Sequence, residues 1–452
     1  MGNEKITLAK AARWCGGTVA PQYAEHSFAG ANFDSRRLKS GELFTAIVGE
    51  RNGHMYAAGA VEKGAAAVLA SEALDVGIPA IYVDDTVAAL QAIAKGYREE
   101  LNCKTVGITG SVGKTTTKEM IAAVLETTFR TTKTAENFNN GLGLPVTILG
   151  IERDCEAAVL EMGMNHFGEI STLTRIAQPD LAVITNVGTM HIENLGSREG
   201  ILQAKLEILE GLKEDGTAIF NGDDDMLASV VAAHNAICFG FGEGNDVRAK
   251  DVTMTQEGSR FTAIAFGQEI LLELPVTGQH NILNALSAVV VGLCCGVSPL
   301  AIQEGLRNFR NTGMRQRIYE HEGITIIEDC YNAGPESMGA ALQVLADMKT
   351  QGKRIAALGG MLELGDFAPA KHAQVGKLVA EKADLLLAYG ANSEHYVRGA
   401  VEAGMENAAC YENHEDLADT LGKVLQPGDV LLVKGSRGMR MERVLDLLKN
   451  KG

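Results

Sequence analysis

The chain of 452 residues has no C-x-x-C pair, no long apolar run and no surplus of positive charge. Each absence removes a class of explanation. The eight cysteines, at 15, 103, 155, 238, 294, 295, 330 and 410, are too scattered for a zinc site. A chain of this size needs no disulfide scaffold, so reduced, mostly buried thiols are expected. The longest apolar stretch, 286–297, is too short to cross a bilayer. The opening Met1-Gly2-Asn3-Glu4-Lys5 lacks the basic region and apolar core of a signal peptide. A cytoplasmic protein that does not span a membrane is expected. Lys plus Arg number 41 against 57 Asp plus Glu, a net charge of −16. A nucleic-acid duplex repels such a surface, so no nucleic-acid partner is expected. A local basic site for a small anion stays open. There is no tandem repeat and no low-complexity linker.

What is present reads as α/β. Hydrophobic residues make up 46% and charged residues 22%, ordinary for a globular chain, and the length calls for two or three domains. A small N-terminal α/β domain is expected over 1–84, with strands at 43–48, 66–70 and 80–83 and a helix at 55–63. Asp84-Asp85-Thr86 then caps a helix that opens a central doubly wound domain over 85–312. Its segments 106–109, 157–161, 181–185 and 218–221 read as buried parallel strands. A two-stranded excursion, 260–266 and 269–274, turns at Gly267-Gln268 and precedes a helix from His280 to about Cys294. A second, Rossmann-like doubly wound domain is expected over 313–452, with strands at 325–328, 354–358, 385–388 and 430–433. In open parallel sheets ligands bind at the strands' C-terminal ends.

The strongest local signal is Thr105-Val106-Gly107-Ile108-Thr109-Gly110-Ser111-Val112-Gly113-Lys114-Thr115-Thr116. An apolar strand runs into a glycine-bracketed turn, and Lys114 with two threonines opens a helix. Backbone N–H groups of such a turn point at phosphate oxygens, and a helix N-terminus favours negative charge. Lys114 can reach the β- and γ-phosphates, and the Thr115 hydroxyl is placed to ligate Mg²⁺. The match to the general phosphate-loop pattern is incomplete, since its first glycine falls on Ile108.

Other candidates are weaker alone. Glu161 closes an apolar strand at the rim where the phosphate loop also ends; it is either a cation-binding carboxylate or a strand end in water. His191, after a glycine-containing loop, is either a surface residue or a metal ligand. Lys205 and Glu207, on a helix expected over 198–211, could form a solvated face. Asn281 and Asn284 flank the start of a helix, where amides either cap or read an adenine edge. Asp329 ends a strand with Tyr331, Asn332 and Pro335 close behind, a position that suits ribose hydroxyls.

Read jointly, the segments resemble the Mur ligases over nearly the whole chain. The signatures are Asp34-Ser35-Arg36 with Gly49-Glu50-Arg51, the phosphate loop, and Asn137-Phe138-Asn139-Asn140 with Gly143 and Pro145. Glu161-Met162-Gly163, His280-Asn281-Ile282-Leu283-Asn284-Ala285 and Asp329-Cys330-Tyr331-Asn332-Ala333 follow, then Met361-Leu362-Glu363-Leu364-Gly365 and Lys434-Gly435-Ser436-Arg437. The last three favour the member that adds a terminal dipeptide. The resemblance implies an ATP-dependent ligase joining D-alanyl-D-alanine to UDP-N-acetylmuramoyl-tripeptide through an acyl phosphate. It implies ATP contacts from Gly110, Ser111, Val112, Gly113, Lys114, Thr115, Thr116, Asn281, Asn284, Arg315 and Asp329. It implies Mg²⁺ ligands at Thr115, Glu161, His191 and Lys205, the last as a carbamate, and catalytic roles for Lys114, Lys205, His191, Glu161 and Arg315. Substrate contacts are implied for Asp34, Ser35, Arg36, Thr134, Asn137, Asn332, Lys434 and Arg437, on a monomer. Two residues depart from the pattern: Gly334, where such ligases usually carry Asn or Ser, and Gly360, where they usually carry Asp. The alternative is a sibling that adds a single amino acid, although the Asp-Asn-Pro-Arg motif of diaminopimelate-adding members is missing. A nucleotide switch would need a guanine-reading Asn-Lys-x-Asp, also missing.

Overall fold

The computed structural model describes residues 6–449 apart from Val76 and Thr312. Met1–Lys5 lie outside the described residues. Three larger sheets organise the chain, beside a two-stranded antiparallel pair of Ile6–Thr7 with Ser27–Phe28. The first has five short strands in the order Thr18–Val19, Ala80–Tyr82, Ala67–Ala70, Leu43–Thr45 and Ala31–Asn32. All its pairings are parallel except the first. The helix Thr86–Glu99 follows, and the Asp85 carboxylate accepts from Val87 N and Ala88 N. Removing such a cap typically costs about 0.5–2 kcal/mol.

The second sheet has nine strands. Seven are parallel, and their order runs Thr131–Lys133, Ala157–Glu161, Lys104–Thr109, Leu181–Ile184, Thr217–Asn221, Ile237–Gly240 and Val247–Met254. Their side chains alternate between two covered faces, which explains the near-continuous apolar runs. Val106, Ile108, Val159 and Val183 pack with Ile121, Ile282 and Leu286 on one face. Ala158, Leu160, Ala182 and Ile184 pack with Ile170, Leu173 and Ile201 on the other.

The expected two-stranded excursion is instead part of this sheet. Ser259–Ala265 and Gln268–Leu274 extend it antiparallel from Val247–Met254. Their turn is Phe266-Gly267 rather than Gly267-Gln268, with φ of 48° and 80°. Two successive left-handed residues suit the twist of a hairpin's strands. The third sheet carries the four expected parallel strands and two more, Arg317–His321 and Ala408–Tyr411, at its edges. Edge strands lack the long apolar signature of buried ones, which is why the sequence pattern did not mark them.

The segment expected as one helix over 198–211 divides into an α-helix, Arg198–Leu206, and a 3₁₀ turn, Glu207–Gly211. Lys205 and Glu207 do not share a solvated face. Positions two apart on a helix point nearly opposite ways. Lys205 is 1% exposed, whereas Glu207 accepts from Gly168 N and Ser171 N at the start of the neighbouring helix Glu169–Ala177. No helix among the described residues is long and apolar enough to cross a membrane.

Candidate active site

A cleft of about 450 Å³ lies between the C-terminal ends of the central strands and the third sheet. Its floor is the phosphate loop between strand Lys104–Thr109 and helix Lys114–Leu125. Gly113 stands at the helix start with φ 88°, a conformation that side-chain-bearing residues rarely adopt. The loop is braced from the adjacent strand: Ser111 N donates to Asn186 O at 3.0 Å, and Val112 N donates to Asn186 Oδ1 at 2.9 Å. Lys114 Nζ turns back onto Gly110 O at 2.7 Å and Ser111 O at 3.4 Å. These carbonyls hold the ammonium over the loop. Burial pushes Lys114 below the usual lysine range; Glu161 and Glu363 oppose that push and Arg315 adds to it.

Beside the loop, the strand register sets Glu161 opposite Ile108. Glu161 is 3% exposed. Its carboxylate accepts from Thr115 Oγ1 at 3.0 Å and Asn139 Nδ2 at 2.9 Å, and Lys118 Nζ stands 3.9 Å away. The reading as a strand end in water is therefore excluded. Arg315, from the third unit, donates through Nη2 to Thr115 Oγ1 at 3.1 Å, and its guanidinium stacks 3.6 Å over the Tyr331 ring. His191 lines the cleft in left-handed backbone, φ 65°. Its Nδ1 lies 2.8 Å from Glu363 Oε2 at an angle outside hydrogen-bond geometry. The adjacent imidazole holds the Glu363 carboxyl below the usual range against the effect of burial.

The buried Lys205 side chain has no hydrogen-bond partner among the described residues, and it does not line the cleft. Burial lowers its ammonium well below the lysine value, Lys114 adds to that and Asp224 opposes it. An uncharged amine is the nucleophilic form of a lysine.

On the opposite side of the loop, Asn281 Nδ2 donates to Thr277 O and Gln316 Oε1, both at 2.8 Å, and Asn284 Oδ1 accepts from Thr117 Oγ1 at 3.1 Å. Both asparagines line the cleft, as do Thr116, Asn137, Asp329, Asn332 and Lys434. Asp329 and Lys434 are paired at 2.5 Å, and Lys434 also reaches Asn332 O at 2.9 Å.

Five expected substrate residues are not brought to this cleft. Thr134 is buried, its hydroxyl accepting from Glu161 N and its carbonyl from Lys118 Nζ, so it braces the Glu161 strand. Arg437 is turned to Glu442 at 2.7 Å. Asp34, Ser35 and Arg36 form a surface turn in which Arg36 pairs with Asp34 and pulls its carboxyl down to about 2. That unit reaches the cleft's rim indirectly, through Arg37, which pairs with Glu136 by two bonds of 3.1 Å and stacks on Phe138.

Residues that the sequence reasoning left without roles are Lys118, Asn139, Gln316, Glu336 and Glu363. Asn139 and Glu363 fall inside motifs already singled out. Nothing in the local pattern marks Lys118, Gln316 or Glu336.

The Mur ligase middle domain matches residues 108–292, and the Mur ligase glutamate ligase domain matches 314–437. The UDP-N-acetylmuramoyl-tripeptide–D-alanyl-D-alanine ligase of Bacillus subtilis is 41% identical over 99% of both chains. The chain belongs to the Mur ligase family. Among solved structures, MurF from Acinetobacter baumannii superposes on this Mur ligase with a TM-score of 0.90 and 32% identity, over 99% of this chain and 100% of that one. MurF from Thermotoga maritima, solved in complex with ADP, superposes with a TM-score of 0.83 and 30% identity, covering 93% of this chain and 97% of that one.

Proposed function

We propose that this Mur ligase joins D-alanyl-D-alanine to UDP-N-acetylmuramoyl-tripeptide with cleavage of ATP, in the assembly of peptidoglycan precursors. The observation that carries the reading is Arg315 reaching from the third unit to Thr115 of the phosphate loop. It supports a reading in which cations from two units, Lys114 and Arg315, act on one phosphoryl group. The relatives named for this reaction match end to end, which favours it over addition of a single amino acid.

A free carboxylate is a poor acylating agent, so it must first acquire a leaving group. The terminal carboxylate of the tripeptide attacks the γ-phosphorus, an acyl phosphate forms and ADP leaves. The dipeptide's amine then attacks the acyl carbon, loses a proton and expels phosphate. Lys114 and Arg315 neutralise charge on the transferred phosphoryl group, and the loop amides hold its neighbours in line. Contacts between the units exclude water that would hydrolyse the acyl phosphate.

The oxygen-rich donor set fits Mg²⁺: a buried carboxylate, Glu161, with the Thr115 hydroxyl on it. Thr115, Glu161, His191 and Lys205 as its carbamate would hold the ion, which when bound neutralises phosphate charge. Lys205 is suited to carbamylation because burial favours its uncharged amine. A carbamate carbon signal in ¹³C NMR after ¹³C-bicarbonate labelling, lost in Lys205→Met, tests that assignment. Asn281 and Asn284 take the adenine side and Asp329 the ribose. The three expected domains serve the UDP end of the substrate, ATP and the dipeptide in turn. The test of the function is phosphate release with D-alanyl-D-alanine and tripeptides ending in lysine or in diaminopimelate. Release with one of them is expected; none with either refutes the reading.

A further inference from the structure

The segment 185–190 lies between the phosphate loop and the third unit and touches both. On the loop side, Thr185 Oγ1 donates to Val112 O at 2.6 Å, Asn186 Nδ2 donates to the same carbonyl at 2.9 Å, and Gly188 N donates to Ser111 Oγ at 2.9 Å. On the other side stands Glu336, in the first turn of helix Pro335–Asp347. Its Oε1 accepts from Thr189 N at 2.8 Å and Thr189 Oγ1 at 2.9 Å. Among the described residues these are the only hydrogen bonds of that carboxylate.

Two glycines make the approach possible, and both do so by lacking a side chain. A Cβ on Gly188 would stand 2.6 Å from Glu336 Cδ. A Cβ on Gly334 would stand 2.8 Å from Met190 Cγ and 3.3 Å from its Sδ. The backbone at Gly334 is extended, φ −150° and ψ 167°, so any residue could adopt it. The need for glycine there is one of space alone. The departure from Asn or Ser at 334 thus coincides with a methionine filling the place where that side chain would start.

We propose that Glu336 is a positioning residue for the ligation reaction, clamping segment 185–190 between the third unit and the phosphate loop, with Gly334 and Met190 as a matched pair that lets the clamp seat. The clamp explains how docking of the third unit is felt at Ser111 and Val112, to which, among the described residues, no side chain of that unit hydrogen-bonds. A charge-assisted pair of hydrogen bonds is stronger than a neutral one and is made only when the two units meet. Glu336 therefore acts on the docked state and leaves the nucleotide's own contacts in place.

The inference rests on the ligase reading for its kinetic arm and is independent of it in its second arm. In the full-length protein, Glu336→Ala is expected to lower kcat for ligation at least tenfold while the KM for ATP stays within threefold. Hydrogen exchange at the amides of Gly188 and Thr189 should accelerate at least tenfold in the same variant, with exchange across helix Lys114–Leu125 unchanged. Gly334→Asn should reproduce the kinetic loss, and adding Met190→Ala to it should recover at least half of that loss. Unchanged exchange at 188–189 in Glu336→Ala overturns the clamp whatever the protein catalyses. A loss in Gly334→Asn that Met190→Ala leaves untouched overturns the matched pair. Accelerated exchange in a protein that ligates neither substrate would retain the clamp and refute the function.

Discussion

The two walls of the cleft are built by different means. On the central wall, functional groups are positioned within one sheet and its loops: register places Glu161, Asn186 braces Val112, and Gly110 O holds Lys114. On the third unit's wall, Asp329 and Lys434 satisfy each other, and Arg315, Gln316, Glu336 and Glu363 reach across, to Thr115, Asn281, Thr189 and His191. One wall is held by contacts inside its own unit; the other joins the site through contacts between units. On the proposed reading the first wall holds the phosphates, while the second adds Asp329 at the ribose and Arg315 at the transferred phosphoryl group, so transfer requires both.

The comparison breaks most sharply at Lys114. Lys114→Ala should lower phosphate release by about 10³-fold with the fold intact by circular dichroism, because a charge aimed at the transferring group is removed; near-normal release would mean the loop is not the phosphate site. Arg315→Ala tests the second wall. Its kcat should fall by about 10²-fold with nucleotide affinity little changed, since its contact forms across the cleft. If nucleotide affinity falls in parallel with kcat in a binding titration, the two walls do not divide the labour as described. Asn139→Ala sharpens the first wall, because the amide orients Glu161. Apparent Mg²⁺ affinity, read from the metal dependence of phosphate release, should weaken about tenfold. The smallest effect lies outside the cleft. Arg36→Ala should return the Asp34 carboxyl from about 2 toward its ordinary 3.8 in an NMR titration. Because that group is depressed in the fold, its contribution to stability is present above pH 3.8 and is lost as pH falls toward 2. The Arg36 side chain is largely in water, so the change in stability is small.

Legibility in the sequence followed the same division. Central strands were readable because both their faces are buried, leaving apolar runs such as Ala157–Leu160 that end at a carboxylate. The edge strand Arg317–His321 was not, because only partial burial shaped its composition. The local pattern left open whether Lys205 is solvated, because a lysine on a short helix carries no sign of which way it faces. Only packing of helix Arg198–Leu206 against the sheet turned it inward, and its altered charge preference follows from that burial. Thr134 and Arg437 were expected at the substrate, yet the Thr134 hydroxyl is taken by Glu161 N, 27 positions on, and Arg437 Nη1 by Glu442, five positions on.

The order of segments in the chain by itself determined the α/β class, the phosphate loop at 110–116 and the family resemblance, because each depends on local spacing and short-range periodicity. Tertiary structure alone decided that Glu161 is buried against Thr115, that Arg315 and Glu336 cross to the central wall, and that Gly334 leaves room for Met190. Those contacts join residues from 46 to 200 positions apart. Their existence depends on how separate sheets pack, which no local pattern encodes.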